Sequence, residues 1–194
     1  MVRISLLVVV VGGTVVLITL SAGAANPPKA GPLVFEQSTP IQLTASPGQS
    51  STSPNVIPLP AGAYTLEVTG QLAADTDPTV TWGIVFVNGA TQAEPFSVML
   101  SGYRFLAVSP SKPDFAPFIH VRANGQPNTL TLTTERTGKA TLRVNDEIAW
   151  TGIAPDASGA VIRVVGGRTS SAELTVQHVA LYAASPLETP TFAK

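Results

Sequence analysis

Paired carboxylates, metal ligands and nucleophile–base pairs are the arrangements from which a chain can do chemistry, and few of them are offered here. Asp146 and Glu147 are adjacent; on a strand such neighbours point to opposite faces, and in a hairpin turn both face water. A solvated turn is the reading. Asp75 and Asp77 flank Thr76 ahead of Pro78 and offer two oxygens to a calcium ion. Calcium takes about six to eight oxygen ligands, no loop here supplies the rest, and an acidic turn without metal is expected. His120 and His178 fall in expected strands, far apart, with no Ser or Asp spaced to complete a triad. No G-x-S-x-G, P-loop, dinucleotide fingerprint or His-Glu-x-x-His occurs. The chain has no Cys, which removes disulfides, thiolate zinc sites, thiol nucleophiles and iron–sulfur clusters together. No catalytic residue, cofactor or metal is expected, and the chain is not read as an enzyme. The side chains left for recognition are aromatic: Trp82, Trp150 and Tyr103.

Those side chains must be held by a folded body. Of 194 residues, 44% are hydrophobic and only 12% charged, with 16 Gly and 17 Pro, the composition of one folded domain with appendages rather than of a disordered chain. Lys plus Arg number 11 against 12 Asp plus Glu, so there is no basic excess to neutralise phosphates and nucleic acid is not an expected partner. Charge density about half the usual level, with net charge near zero, describes a surface suited to facing a partner.

The first strong positional signal is Ile4 to Ala25, which follows Arg3 without an ionisable side chain. As a helix, Ile4 to Leu20 would span about 26 Å and the whole run about 33 Å, against a hydrocarbon core of about 30 Å. Two readings stand: a retained membrane anchor, favoured by the length, and a secretory signal cleaved after the small residues Ala22 to Ala24. With Arg3 before the span, the positive-inside rule puts the N-terminus in the cytoplasm and the domain in the periplasm or outside the cell. Ser5, Gly12 and Thr19, with Gly13 beside them, would set small residues along one helical stripe, a seat for another helix in the bilayer.

Residues 26–63 are rich in Pro and Ser and read as a semi-rigid stalk, within which LVFEQ and IQLTA are candidate edge strands on either side of Pro40. Residues 64–184 read as β throughout. Tyr64, Leu66, Val68 and Leu72 alternate with polar residues, and TVTWGIVFV is apolar on both faces, as a central strand should be. YRFLAV, FIHVRA, TLTLTTE, ATLRVN, AVIRVV and ELTVQHVALYA follow, separated by turn signals such as Asn124-Gly125 and Thr137-Gly138. The alternation predicts a core that includes Leu66, Val68, Trp82, Ile84, Phe86, Phe105, Leu130, Leu132, Leu142, Val144, Val161, Val165, Leu174 and Val176. Many strands without interleaved helices predict an all-β antiparallel sandwich, with residues 185–194 as a tail.

The run NTLTLTTERTGKATLRVNDEIAWTG resembles the hairpin N-x-L-x-V … G-x-x-x-x-x-V-N-G of concanavalin A-like jelly rolls, the laminin-G-like and family-16-glucanase-like sandwiches. Asn128 and Leu130 open one strand, Gly138 turns the hairpin, and Val144-Asn145 precede the next turn; GAVIRVVGG and LTVQHVALY resemble the family's closing strands. The resemblance covers residues 64–183 and implies a jelly-roll-like sandwich. It does not carry the family's hydrolase activity across, because Glu-x-Asp-x-(x)-Glu, which would place two carboxyl groups about 5–5.5 Å apart, has no match.

Two functions from different classes follow. The first is a non-catalytic, membrane-anchored accessory subunit, joined to the bilayer by its N-terminal helix and resting on a larger membrane protein complex, for which a respiratory or photosynthetic complex is a natural host. The second is a lectin-like carbohydrate-binding module whose glycan contacts are Trp150 and Tyr103. On sequence alone the accessory subunit ranks first.

Overall fold

The computed structural model describes residues 29–89 and 93–184. The described residues build fourteen strands in order: β1 Leu33–Gln37, β2 Ile41–Ala45, β3 Ser50–Thr52, β4 Ile57–Pro58, β5 Tyr64–Leu72, β6 Thr81–Asn88, β7 Ala93–Ser101, β8 Phe105–Ser109, β9 Lys112–Pro117, β10 Asn128–Thr134, β11 Lys139–Val144, β12 Glu147–Ile153, β13 Gly159–Val165 and β14 Ala172–Ala183. They form two seven-stranded sheets. Sheet A runs β1-β14-β5-β10-β11-β12, with β2 pairing the other half of β14; sheet B runs β3-β13-β6-β7-β8-β9, with β4 pairing the other half of β13. One edge of each sheet is thus shared by two short strands. Every pairing is antiparallel. The described residues contain no helix, and none that is long and apolar enough to cross a membrane.

The alternation expected in β5 and β10 is what closes the sandwich. Leu66 lies opposite Leu132 and Val68 opposite Leu130, and all four are fully buried with Leu142, Val144, Leu174 and Val176 against Trp82, Ile84 and Phe86 of sheet B. Several of the alternate residues, on the face away from the core, are threonines: Thr65 pairs through its hydroxyl with Thr133 at 3.2 Å, and Thr69 with Thr129 at 2.9 Å. A threonine pair across a ladder satisfies both hydroxyls while the branched carbons favour extended backbone.

The structure departs from the sequence expectations in four places. LVFEQ and IQLTA do pair as edge strands, but the segment expected as a stalk also supplies β3 and β4, and its Leu43, Ala45 and Ile57 join the core. FIHVRA forms no strand; KPDFAP before it does, tolerating two prolines because β9 is the last strand of sheet B. AEPFSVMLS and EIAWTGI are strands too. In β8 and β13 the buried face is shifted by one residue. Leu106, Val108, Ala160, Ile162 and Val164 point inward, leaving Phe105 and Val165 half-buried and Val161 outside the central cluster. β8 carries apolar or small residues on both faces, so alternation alone could not choose between them, whereas in β13 Arg163 shares the face of Val161 and Val165 and turns it outward. The stripe Ser5, Gly12, Gly13 and Thr19, the span to Ala25 and the tail 185–194 lie outside the described residues.

Candidate functional site

The three aromatic candidates end in three different environments. Trp82 is 2% exposed at the centre of the core, flanked by Leu100 on β7 and Val164 on β13. Tyr103 lies in the turn between β7 and β8, not in a strand, and is 56% exposed beside Phe105, ring centroids 6.1 Å apart. Trp150 is half-buried on β12, the last strand of sheet A. Trp150 packs at the Phe96 end of β7 and Tyr103 just beyond its Ser101 end, so about 17 Å of strand separates them. They do not form one site.

Trp150 is positioned by two local features. In the β11–β12 ladder Leu142 faces Trp150 but Arg143 faces Ile148, so Ala149 is an extra residue, a bulge that turns Trp150 to the buried side of Leu142. Two residues on, Gly152 leaves room for the indole to lie along the strand: a Cβ there would be 2.1 Å from Trp150 Cζ2. Beneath the indole is Phe96, at 5.1 Å between centroids and 46° between planes, and Phe96 in turn packs edge-on to Phe86 at 5.4 Å. This aromatic row runs from the core to the surface.

At its outer end is a cleft of about 420 Å³ walled by Pro95, Phe96, Pro110, Trp150 and Pro155, with Ser111, Thr151 and Asp156 supplying polar groups and Ile153 at the mouth. That volume is within the range of small-ligand sites, which are mostly apolar with a few placed polar groups. Prolines and a braced indole lose little conformational freedom when a ligand docks. A ring with one CH-rich face and a hydroxylated rim, such as a pyranose, meets both kinds of surface. Phe96, the prolines and Gly152 were not singled out from sequence; the signal was Trp-x-Gly in a strand, which places ring and glycine on one face.

The remaining candidates lie apart from this cleft. Asp77 Oδ1 accepts from the Thr79 amide at 2.8 Å and the Thr79 hydroxyl at 2.6 Å. The Thr79 hydroxyl, then its amide, hold the Asp77 carboxyl below its ordinary value. Among the described residues, no three His, Asp or Glu side chains are grouped to hold a metal ion. Asp146 and Glu147 are exposed, Asp146 in a two-residue turn with Asn145 in which both have positive φ (72° and 51°). Asn145 serves as a clasp: its Nδ2 donates to the His120 carbonyl at 2.6 Å and to Asn128 Oδ1 at 2.9 Å, while its Oδ1 accepts from the Thr129 amide at 2.9 Å. His120 is therefore in a loop rather than a strand, its ring 5.3 Å from Phe118. His178 does lie in a strand, Nε2 3.1 Å from Glu36 Oε1. On sheet B, Glu94 and Arg163 form a two-pronged pair: Arg163 Nη1 donates to Oε2 at 2.9 Å and Nη2 to Oε1. These bonds hold the Glu94 carboxyl low and raise the Arg163 guanidinium.

No protein-family model and no curated protein sequence matches the chain. Solved structures do. A β-glucanase from Bacillus licheniformis is 11% identical over 82% of this chain and 88% of its own, with a TM-score of 0.52. The metal-free carbohydrate recognition domain of Emp46p is 9% identical over 74% of this chain and 87% of its own, TM-score 0.51. The fold is that of the concanavalin A-like jelly rolls. A sialidase is 9% identical over 81% of this chain with a TM-score of 0.54, and this jelly roll spans 16% of its length; a polysaccharide lyase family 7 alginate lyase is spanned over 59%. At such identities the shared property is the fold.

Proposed function

We propose that this jelly roll is a non-catalytic carbohydrate-binding module, with Trp150 as the stacking platform of its site. The observation that carries the reading is the Trp150 cleft: a half-buried indole laid over Gly152 and braced by Phe96, open to solvent between proline walls with hydroxyls and one carboxylate at its lip. The reading is supported by fold neighbours named as carbohydrate recognition domains. Tyr103 is left as a surface aromatic outside this cleft. The alternative, an accessory subunit of a membrane complex, draws on the low charge density, the absence of catalytic motifs and residues 1–25, which lie outside the described residues, and the cleft favours the glycan.

The test is titration of the protein with neutral and acidic oligosaccharides, read by calorimetry and by tryptophan emission. Saturable binding that perturbs emission, is abolished by Trp150→Ala and is unchanged by Tyr103→Ala, with both variants still unfolding cooperatively, is expected. Binding that survives Trp150→Ala, or no binding across a broad glycan panel, would overturn it and return the accessory-subunit reading to first place.

A further inference from the structure

A β-sandwich has four outer strands, and each presents unpaired backbone groups unless something blunts it. Three are blunted here. One edge of sheet A is divided between β1 and β2 with Pro40 between them. The matching edge of sheet B is divided between β3 and β4, with Pro54 and Pro58. At the other edge of sheet B, β9 carries Pro113 and Pro117. The fourth edge is β12, EIAWTGI, with no Pro, no Lys or Arg, and Glu147 as its one charge. Among the described residues β12 pairs with β11 alone. Ala184 follows β14, four strand spacings or about 19 Å across sheet A from it.

The side chains on β12 add a second observation. Ile148 is 54% and Ile153 84% exposed. Ile148 lies opposite Arg143 and Ile153 opposite Lys139. Both partners lie on the face of β11 away from buried Ala140 and Leu142. Ile148 and Ile153 therefore share that outer face, although they are five positions apart, because the bulge at Ala149 inserts one residue. In a twofold antiparallel pairing, if residue i meets j then j meets i. Setting Ile148 against Ile153 of a second copy thus brings together both isoleucines of each strand on one side of a continuous sheet.

We propose that β12 is a homodimer edge: two copies join through antiparallel β12–β12 pairing with Ile148 opposite Ile153, fusing the two A sheets into one. The pairing sets isoleucine against isoleucine at both positions, which favours a second copy over an extended segment of mixed polarity. A single strand pair buries much less than the ~800 Å² per partner of a standard interface, so the dimer is concentration-dependent. This inference does not rest on the glycan reading.

The absence of Cys makes the test direct. The full chain is prepared in mild detergent as Ile148→Cys and as Ile153→Cys. Mixed together under mild oxidation they should form a disulfide-linked dimer faster than either variant alone, as antiparallel pairing requires. Light-scattering mass at high concentration should correspond to two chains for the unmodified protein and for Phe115→Lys on β9. For Ile148→Lys/Ile153→Lys it should correspond to one chain, association falling about tenfold or more, since edge lysines oppose strand pairing. The melting temperature of the double variant checks that it still folds. A one-chain mass for the unmodified protein overturns the proposal. So does a dimer that persists in the folded double-lysine variant, or cross-linking as fast between like cysteines as between unlike ones.

Discussion

The two tryptophans solve the same packing problem in opposite surroundings. Each ring lies where a glycine has made room: a Cβ on Gly70 would be 2.8 Å from Trp82 Cη2, and one on Gly152 2.1 Å from Trp150 Cζ2. Trp82 sits on β6, with β13 and β7 on either side and sheet A above, and nothing of it is left for a ligand. Trp150 sits on β12, with one neighbouring strand, and part of its ring stays open. The same residue pair becomes core at the centre of a sheet and a candidate platform at its edge. Strand order, not residue type, makes the difference.

The sharpest way to break that comparison is to delete both rings. Trp82→Ala removes a fully buried aromatic from a sealed site and should cost about 3–5 kcal/mol, enough to leave the domain marginal or unfolded. Trp150→Ala removes a half-buried ring whose void opens to water, and should cost roughly 1–2 kcal/mol. Urea titration followed by circular dichroism gives both numbers. Equal costs would mean that Trp150 is core in solution and that the cleft is closed.

Filling the glycines is the next step down. Gly70→Ala pushes a methyl group into a ring that cannot move, and overpacking of this kind should cost about 1–3 kcal/mol. Gly152→Ala meets a ring that can lift towards solvent, so the stability loss should stay below about 1 kcal/mol. The lifted indole no longer lies on Phe96, however, and oligosaccharide affinity should fall roughly tenfold, about 1.4 kcal/mol. Thermal melts and calorimetry on the two variants separate a structural glycine from one that shapes a binding surface.

How much of this was legible in the sequence follows the same division. Trp82 is readable as core because TVTWGIVFV is apolar on both faces, a pattern only a covered central strand satisfies. Leu66, Val68, Leu130 and Leu132 are readable because threonines and charges alternate with them. In β8 every position is apolar or small, and the choice of face is made by the opposite sheet, which the sequence does not display; in β13 Arg163 shares a face with Val161 and Val165 and was the one local sign that this face turns outward. FIHVRA has a strand's composition, yet Asn145 and Arg104 hold it as a loop: Arg104 Nε donates to the Val121 carbonyl at 2.8 Å and its guanidinium also to the Ile119 carbonyl. Those bonds join residues distant in sequence, so local composition could not report them. Trp150 was a candidate from its type; its floor of Phe96 and its proline walls come from three separate segments that only the fold assembles.

A smaller effect distinguishes the two rings by access. Acrylamide should quench part of the tryptophan emission of the native protein, and that quenchable part should vanish in Trp150→Phe and persist in Tyr103→Ala. Trp82, sealed at 2% exposure, should contribute only an unquenched remainder. Full quenching of both rings in a folded protein would erase the contrast between centre and edge.

The smallest expected effect is a pH dependence confined to the Trp150 side. Glu94 lies two residues before Phe96 on β7 and is tied to Arg163 on β13, so the pair secures the strand end on which the Trp150 floor rests. Its hydrogen bonds to Arg163 lower the Glu94 carboxyl below the ordinary value of 4.5. For a carboxylate depressed in the folded state, the stabilisation is present above that ordinary value and is lost as pH falls through the lower, folded one. Arg163, raised by the same bonds, stays charged across this range. The Glu94 side chain is 46% exposed, so solvent screens the pair and its worth is about 0.5 kcal/mol. Glu94→Gln should therefore be less stable than the unmodified protein by about that amount at pH 7, and the difference should shrink towards zero as pH falls well below 4.5, where both side chains are neutral. Because Trp82 points into the core opposite Val164, whereas Arg163 lies on the other face of β13, the acrylamide-quenchable emission should respond over the same interval while the shielded emission does not. A stability difference that stays constant through the carboxylate range would mean that Glu94 acts through packing and not through its charge, and the floor of the cleft would then be independent of pH.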